Sequence, residues 1–350
     1  MGREYIRSIV YDGRDLCVII NCNNNKNGVI TFGSWLRNPL ENKQASLAKG
    51  FGDGVFINLK IDEMHVIPRT NHWYQSDEIK EVKKIAEIFL KSRNVISYGS
   101  SMGGYGAALL SATLGIKSVT LAPQFTLDKN LAPWEKRWEN ESKKIPYFDN
   151  MLMTKNGLAS GFLFYDPFTK LDAMQAELYR LRSNLIFVPI PFSGHATASM
   201  VNKIYSLKRL VSDVLSNNFL ASRFSEYRRL YSRRRDDTYL SMMYVYADSN
   251  GKELLSLWCL NQLEQIDGMI GAKALRTLSI HENRKNCLYR LDRWAHIAAR
   301  LTPSSASDCL ISAHIAAKGN YIKDAIRILE HGRKIAPNNI AFAREIDKLT

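Results

Sequence analysis

Through the first 210 residues, short apolar runs rich in β-branched residues alternate with amphipathic segments. That alternation is the pattern of a mostly parallel sheet with helices packed on it. Residues 5–11 and 16–21 read as two opening strands joined at Asp12-Gly13, and residues 29–32 as a third strand followed by Gly33-Ser34-Trp35. Residues 54–59 read as a fourth. Ile79, Val82, Ile85, Ala86 and Phe89 recur at a helical period, which predicts a helix over residues 76–91. Residues 95–98, 119–122, 161–165 and 185–189 complete the strands. Between Leu127 and Leu158 lies a longer insertion holding Pro133, Trp134, Lys136, Arg137 and Trp138, which reads equally as a lid over the carboxyl ends of the strands and as a surface excursion with two packed tryptophans.

Beyond about residue 200 the strand-like runs stop and the chain reads as helices separated by polar turns. Two domains follow: 1–210, an α/β domain, and 211–350, all α. The basic cluster from Tyr227 to Arg235 reads as a solvated helix face or linker rather than a nucleic-acid site. Near the end, Gly319-Asn320-Tyr321 leads into Ala325, Leu329, Gly332 and Pro337. This series resembles the second helix of a tetratricopeptide repeat, with one extra residue between Tyr321 and Ala325. A single such unit predicts a degenerate helical-repeat module, suited to a protein partner bound through residues 211–350.

Composition narrows the class without choosing the chemistry. The 350 residues are 45% apolar and 23% charged, enough to bury a core. Apolar runs of about 18 residues are lacking, which excludes a membrane-spanning helix. The first residues lack the apolar stretch of a signal peptide. Cys17, Cys22, Cys259, Cys287 and Cys309 are odd in number and scattered, as expected of reduced thiols in a cytoplasmic protein. The histidines are dispersed, so neither metal nor other cofactor is expected. The net charge of +14 arises from 48 basic and 34 acidic residues spread over both halves, and favours an anionic partner without choosing among polysaccharide, nucleotide-linked substrate, nucleic acid and lipid headgroup.

The sharpest chemical signal is Gly99-Ser100-Ser101-Met102-Gly103. A serine hydroxyl needs a base and an unobstructed position to act as a nucleophile. G-x-S-x-G supplies the position, because glycines two residues either side leave room for a strained strand-to-helix turn. Framing the motif on Ser100 puts Tyr98 and Met102 at those places, so Ser101 is the candidate nucleophile. A buried strand precedes it, and a helix over residues 104–114 with small residues Gly106, Ala107 and Ala108 follows. No G-x-G-x-x-G or GK[ST] loop competes with it.

Strand, elbow and helix in this order make residues 1–210 resemble the α/β-hydrolase superfamily, whose triad runs Ser, acid, His. The resemblance implies a histidine after the last strand, which is His195 in Gly194-His195-Ala196-Thr197, acting as general base and then acid. It implies an acid at a strand end, met by Asp166, with Asp172 and Asp128 as rivals. It implies an oxyanion hole from the Met102 amide and that of Ser34 or Trp35. His65 and His72 follow the fourth strand and are expected near the same rim. Arg69, Trp73, Tyr74, Trp134 and Arg137 are candidate substrate contacts. The implied activity is ester or thioester cleavage through an acyl-serine. The alternatives are O-acyl transfer to a hydroxyl of a glycan or other polar acceptor, and a scaffold working through the helical half.

Overall fold

The computed structural model describes residues 6–40, 50–56, 59–145, 158–232, 236–266 and 270–350. Within them the chain forms two compact units, Met1–Tyr231 and Ser232–Thr350. The boundary between them falls beyond the expected residue 210, since the helix that spans that residue and the one after it lie in the first unit.

The first unit is built on eight strands. β1 (Ile6–Asp12) and β2 (Leu16–Cys22) form a hairpin, followed by β3 (Asn27–Phe32), a helical turn α1 (Asp53–Phe56) and β4 (Asp62–Pro68). Then come α2 (Ile79–Leu90), β5 (Asn94–Ser100), α3 (Met102–Leu114), β6 (Lys117–Leu121) and the short α4 (Glu139–Ser142). β7 (Ser160–Tyr165), α5 (Lys170–Arg180), β8 (Asn184–Pro189), α6 (Thr197–Tyr205), α7 (Leu207–Leu215) and α8 (Ala221–Ser232) complete it. The strand order is β1-β2-β4-β3-β5-β6-β7-β8. β1 and β2 run antiparallel to their neighbours, and every pairing from β4 onward is parallel. This is the α/β-hydrolase arrangement the sequence led us to expect.

The hairpin turn is fixed by Glu78, whose carboxylate accepts from the amides of Arg14, Asp15 and Leu16 at 2.8, 3.1 and 2.9 Å. The core joins Leu16, Val18, Ile30, Phe32, Met64 and Val66 of the sheet to Val82 and Phe89 of α2 and Leu109 and Leu110 of α3. α3 is buried from Met102 to Ala112, and its glycines and alanines let it lie close against the strands.

The fourth strand lies later than the expected residues 54–59. Residues 53–56 form the turn α1, residues 57–58 lie outside the described part, and the strand is β4. Asp62, Glu63 and His65 masked it, since charges on a central strand look like loop. Each finds a partner in place, although Glu63 Oε1 has none among the described residues. Asp62 accepts from the Asn23 amide at 2.7 Å and pairs with Arg93 at 2.7 Å. Glu63 meets His65 at 2.8 Å, whose other ring nitrogen lies 2.6 Å from Thr31 Oγ1.

The second unit is a series of antiparallel helical hairpins: α9 (Asp237–Ser249) with α10 (Glu253–Gln265), α11 (Ala272–Arg284) with α12 (Leu288–Arg300), and α13 (Ala306–Lys318) with α14 (Ile322–Ile335). A shorter α15 (Ala341–Asp347) closes it. The turns carry left-handed residues at matching places, Gly251 (φ 65), Asn286 (φ 54) and Asn320 (φ 67). The segment expected to be repeat-like falls on the last of these hairpins among the described residues. In it Ala325, Leu329 and Gly332 are buried against Cys309, Ala313 and Phe342.

Candidate active site

Ser101 sits between β5 and α3 with φ 55 and ψ −123, a backbone conformation that L-residues rarely adopt. The glycines make it possible. A Cβ at Gly99 would overlap the carbonyl of Gly103, and one at Gly103 would overlap the carbonyl oxygens of Phe32 and Gly33. The Ser101 amide is tied to the Leu121 carbonyl at 2.9 Å, which seats the elbow on β6.

Other non-glycine residues with positive φ lie on the surrounding loops: Trp73 (φ 49) and Tyr74 (φ 55) after β4, Ala122 (φ 45) after β6, Phe192 (φ 61) after β8. Strain of this kind gathers where a site over-determines its backbone.

Three side chains form a hydrogen-bonded line. Ser101 Oγ lies 3.1 Å from His195 Nε2, and His195 Nδ1 lies 3.0 and 2.9 Å from the two oxygens of Asp172. Asp172 stands in the first turn of α5 and is almost wholly buried. Burial opposes its ionisation, but the hydrogen bond and charge of His195 and the neighbouring Arg137 outweigh it and hold the carboxyl below its usual range.

Asp166, the expected acid, does not face the imidazole. Its oxygens accept from the amides of Phe168 (2.9 Å), Phe192 (3.1 Å) and Gly194 (2.8 Å) and from Thr169 Oγ1 (3.1 Å). It lies at the end of β7 as predicted, but there its carboxylate is consumed in bracing the loop that carries His195. Burial pushes its pKa up. Asp128 is also away from the line, accepting from the Asn130 amide in its own turn.

Gln124 is a site residue that the sequence reading missed. Fully buried after β6, it accepts from Ser101 Oγ through Oε1 at 2.8 Å. Its Nε2 donates to the Ala122 carbonyl at 3.1 Å and lies 3.4 Å from His195 Nε2. Its only signal in the chain is its place just after a core strand, beside Pro123.

The expected oxyanion donors are backbone amides at the start of α3 and after β3. Met102 opens α3, so its amide has no acceptor within the helix. Tyr74 Oη donates to the Gly33 carbonyl at 2.7 Å. Across a trans peptide this turns the Ser34 N–H the opposite way.

The candidate substrate contacts divide. Arg137 is committed to Asp172 (2.6 Å) and to Glu135 (2.9 and 2.6 Å), joining the insertion to the line from outside. Arg69 is buried and binds the Gly13 carbonyl and Asp12, bracing the hairpin. Trp73 is buried with its ring 5.5 Å from that of Trp138, which lies 6.3 Å from the His195 ring. The ring of Trp35 lies 5.6 Å from that of Trp138, tilted by 44°, and Trp35 is 38% exposed, its Nε1 donating to Glu141 at 2.7 Å. Trp134 is half-buried in the insertion, of which residues 146–157 lie outside the described part. His72 is held by the Asp15 carbonyl at 3.2 Å, and burial lowers its pKa. His65 is at no rim: it is fully buried with Glu63 and Thr31. Asp53, Glu63 and His65 bring ligand atoms within 4.8 Å of one another, the group among the described residues that comes nearest to metal-ligand geometry. All five cysteines are free thiols.

Sheet order, elbow and the Ser–His–Asp line define an α/β-hydrolase fold carrying a serine-centred site. Residues 39–152, which include Ser101, match the sequence profile of the Uncharacterised protein family (UPF0227). The search of curated proteins found no match. Among solved structures, the capsule O-acetyltransferase of Neisseria meningitidis serogroup A is 15% identical with a TM-score of 0.42, over 58% of this chain and 93% of that one. The esterase of Pyrobaculum calidifontis is 12% identical with a TM-score of 0.42, over 61% of this chain and 85% of its own. Acetyl xylan esterase 1 of Thermoanaerobacterium sp. JW/SL YS485 is 12% identical with a TM-score of 0.38, over 59% and 80%.

Proposed function

We propose that this protein is a serine esterase that cleaves a carboxylic ester or thioester through an acyl-Ser101 intermediate. The observation that carries the reading is the line Ser101 Oγ–His195 Nε2–His195 Nδ1–Asp172. An ionised Asp172 keeps the proton on Nδ1, so Nε2 presents a lone pair to the serine. As Oγ attacks the carbonyl carbon, its proton passes to Nε2. The developing oxyanion is received by the Met102 and Ser34 amides, each such donor contributing about 2.7–4 kcal/mol. His195 then protonates the leaving oxygen or sulfur, and water releases the acyl group by the reverse sequence. Asp166 holds the histidine loop in register. Arg137 keeps Asp172 ionised.

A second reading is O-acyl transfer to a glycan or another polar acceptor. The partly exposed Trp35, tilted against Trp138, whose ring lies 6.3 Å from that of His195, favours it, since an aromatic surface suits a sugar ring. The net charge of +14 suits an anionic polymer. Residues 232–350 offer a surface of stacked helices for a protein partner.

The experiment is labelling with a fluorophosphonate probe. Wild type is expected to label and Ser101→Ala not; equal labelling of the two refutes the nucleophile.

A further inference from the structure

Resting on the acyl-Ser101 reading, we propose that Gln124 selects the acyl acceptor: water, or a hydroxyl with a second hydroxyl on the adjacent carbon, over an isolated alcohol. The side chain has one orientation that satisfies its surroundings. The Ala122 carbonyl, 3.1 Å from Nε2, requires a donor, so the amide oxygen must face Ser101 Oγ at 2.8 Å. Gln124 is fully buried, and no bulk water replaces a partner its oxygen loses.

In the free enzyme that oxygen is satisfied by the serine hydroxyl, whose single proton is shared between Gln124 Oε1 at 2.8 Å and His195 Nε2 at 3.1 Å. Acylation removes the proton. Ser101 Oγ becomes an ester oxygen with nothing to donate, and the Gln124 oxygen is left facing a second acceptor. The deacylating molecule enters between the same two groups, since both lie within hydrogen-bond reach of the position of Oγ.

Water has two protons. It gives one to His195 Nε2 as its oxygen bonds to the acyl carbon, and it offers the other to Gln124 Oε1. The bond from the acyl carbon to Oγ then breaks, and the proton on Nε2 returns to Ser101. An isolated alcohol spends its one proton on His195 and leaves the Gln124 oxygen without a donor in the transition state. A vicinal diol, the commonest arrangement on a sugar ring, supplies the missing donor from its neighbouring hydroxyl. The same residue therefore admits hydrolysis and transfer to a sugar while rejecting simple alcohols.

The test is acceptor partitioning with p-nitrophenyl acetate as donor and ethylene glycol, 2-methoxyethanol or ethanol added to the wild-type protein. 2-Methoxyethanol is the glycol with its second hydroxyl capped. We expect ethylene glycol to capture the acyl group about tenfold better than 2-methoxyethanol or ethanol, after correction for its two equivalent hydroxyls. Gln124→Met keeps the shape and deletes the acceptor; in it the three should converge within about twofold while the ratio of alcohol capture to hydrolysis rises. Equal capture of glycol and 2-methoxyethanol by wild type overturns the proposal, as does a glycol preference that survives in Gln124→Met. Fluorophosphonate labelling run in parallel keeps the two readings apart: an unlabelled wild type defeats the acyl-serine itself, whereas labelling with unselective partitioning defeats only the role of Gln124.

Discussion

Replacing Asp172 by Asn separates the two aspartates that compete for the role of triad acid. His195 Nδ1 is 3.0 Å from Oδ1 and 2.9 Å from Oδ2 of Asp172, while Arg137 Nη1 is 2.6 Å from Oδ1. Arg137 donates only, so in Asp172→Asn it holds the amide oxygen at the Oδ1 position and leaves the NH2 group towards the imidazole. The histidine then favours the tautomer with its proton on Nε2, where it cannot accept from Ser101. A fall in kcat of about 10³–10⁴ is expected, about 4–5.5 kcal/mol of barrier. Asp166→Asn acts differently. Its two oxygens each receive two donors, and an NH2 group at either place strands one pair. That change destabilises the fold by about 1–3 kcal/mol but leaves the Ser–His–Asp line assembled, so kcat should stay within about tenfold. Hydrolysis of a p-nitrophenyl ester, with circular dichroism melts of each variant, reads both effects. If folded Asp166→Asn loses a thousandfold or more and Asp172→Asn keeps most of its activity, the assignment of roles is wrong.

Two further outcomes follow from the same geometry. Gly103→Ala drives a methyl group into the Phe32 and Gly33 carbonyl oxygens, backbone atoms that cannot rotate away, and should destabilise by about 1–3 kcal/mol or more with loss of fluorophosphonate labelling; an unchanged melting temperature and labelling rate would show that the elbow has slack. The depressed pKa of Asp172 stabilises the fold above the ordinary carboxylate pKa, and that contribution disappears as pH falls through the lower native value. The melting temperature of Asp172→Asn should therefore lie below that of wild type between about pH 5 and 7, with the gap closing below about pH 4, and a gap independent of pH in thermal melts would contradict the ion-paired state.

What the chain discloses about itself depends on whether a residue's task is local. Ser101 is legible because its strained backbone demands particular neighbours, Gly99 and Gly103, within two positions. His195 is legible because it follows the last strand directly. The choice between Asp166 and Asp172 is not local. Both are buried carboxylates within seven positions of each other, and which meets the imidazole depends on how α5 starts after β7. Its first turn brings Asp172 up to His195, while the strand end points Asp166 into the amides of the next loop. β4 was misplaced for a related reason: Glu63 and His65 look like loop residues in the sequence, but in the sheet each is the other's partner. Gln124 shows the limit most clearly. Neither its type nor its spacing marks it, and its significance comes from three loops, after β5, β6 and β8, converging on one oxygen. On the proposed reading, nucleophile and base follow from chain order, so sequence reaches the first half of the reaction. The acceptor's proposed seat rests on contacts between separate loops, and only the folded site describes that second half.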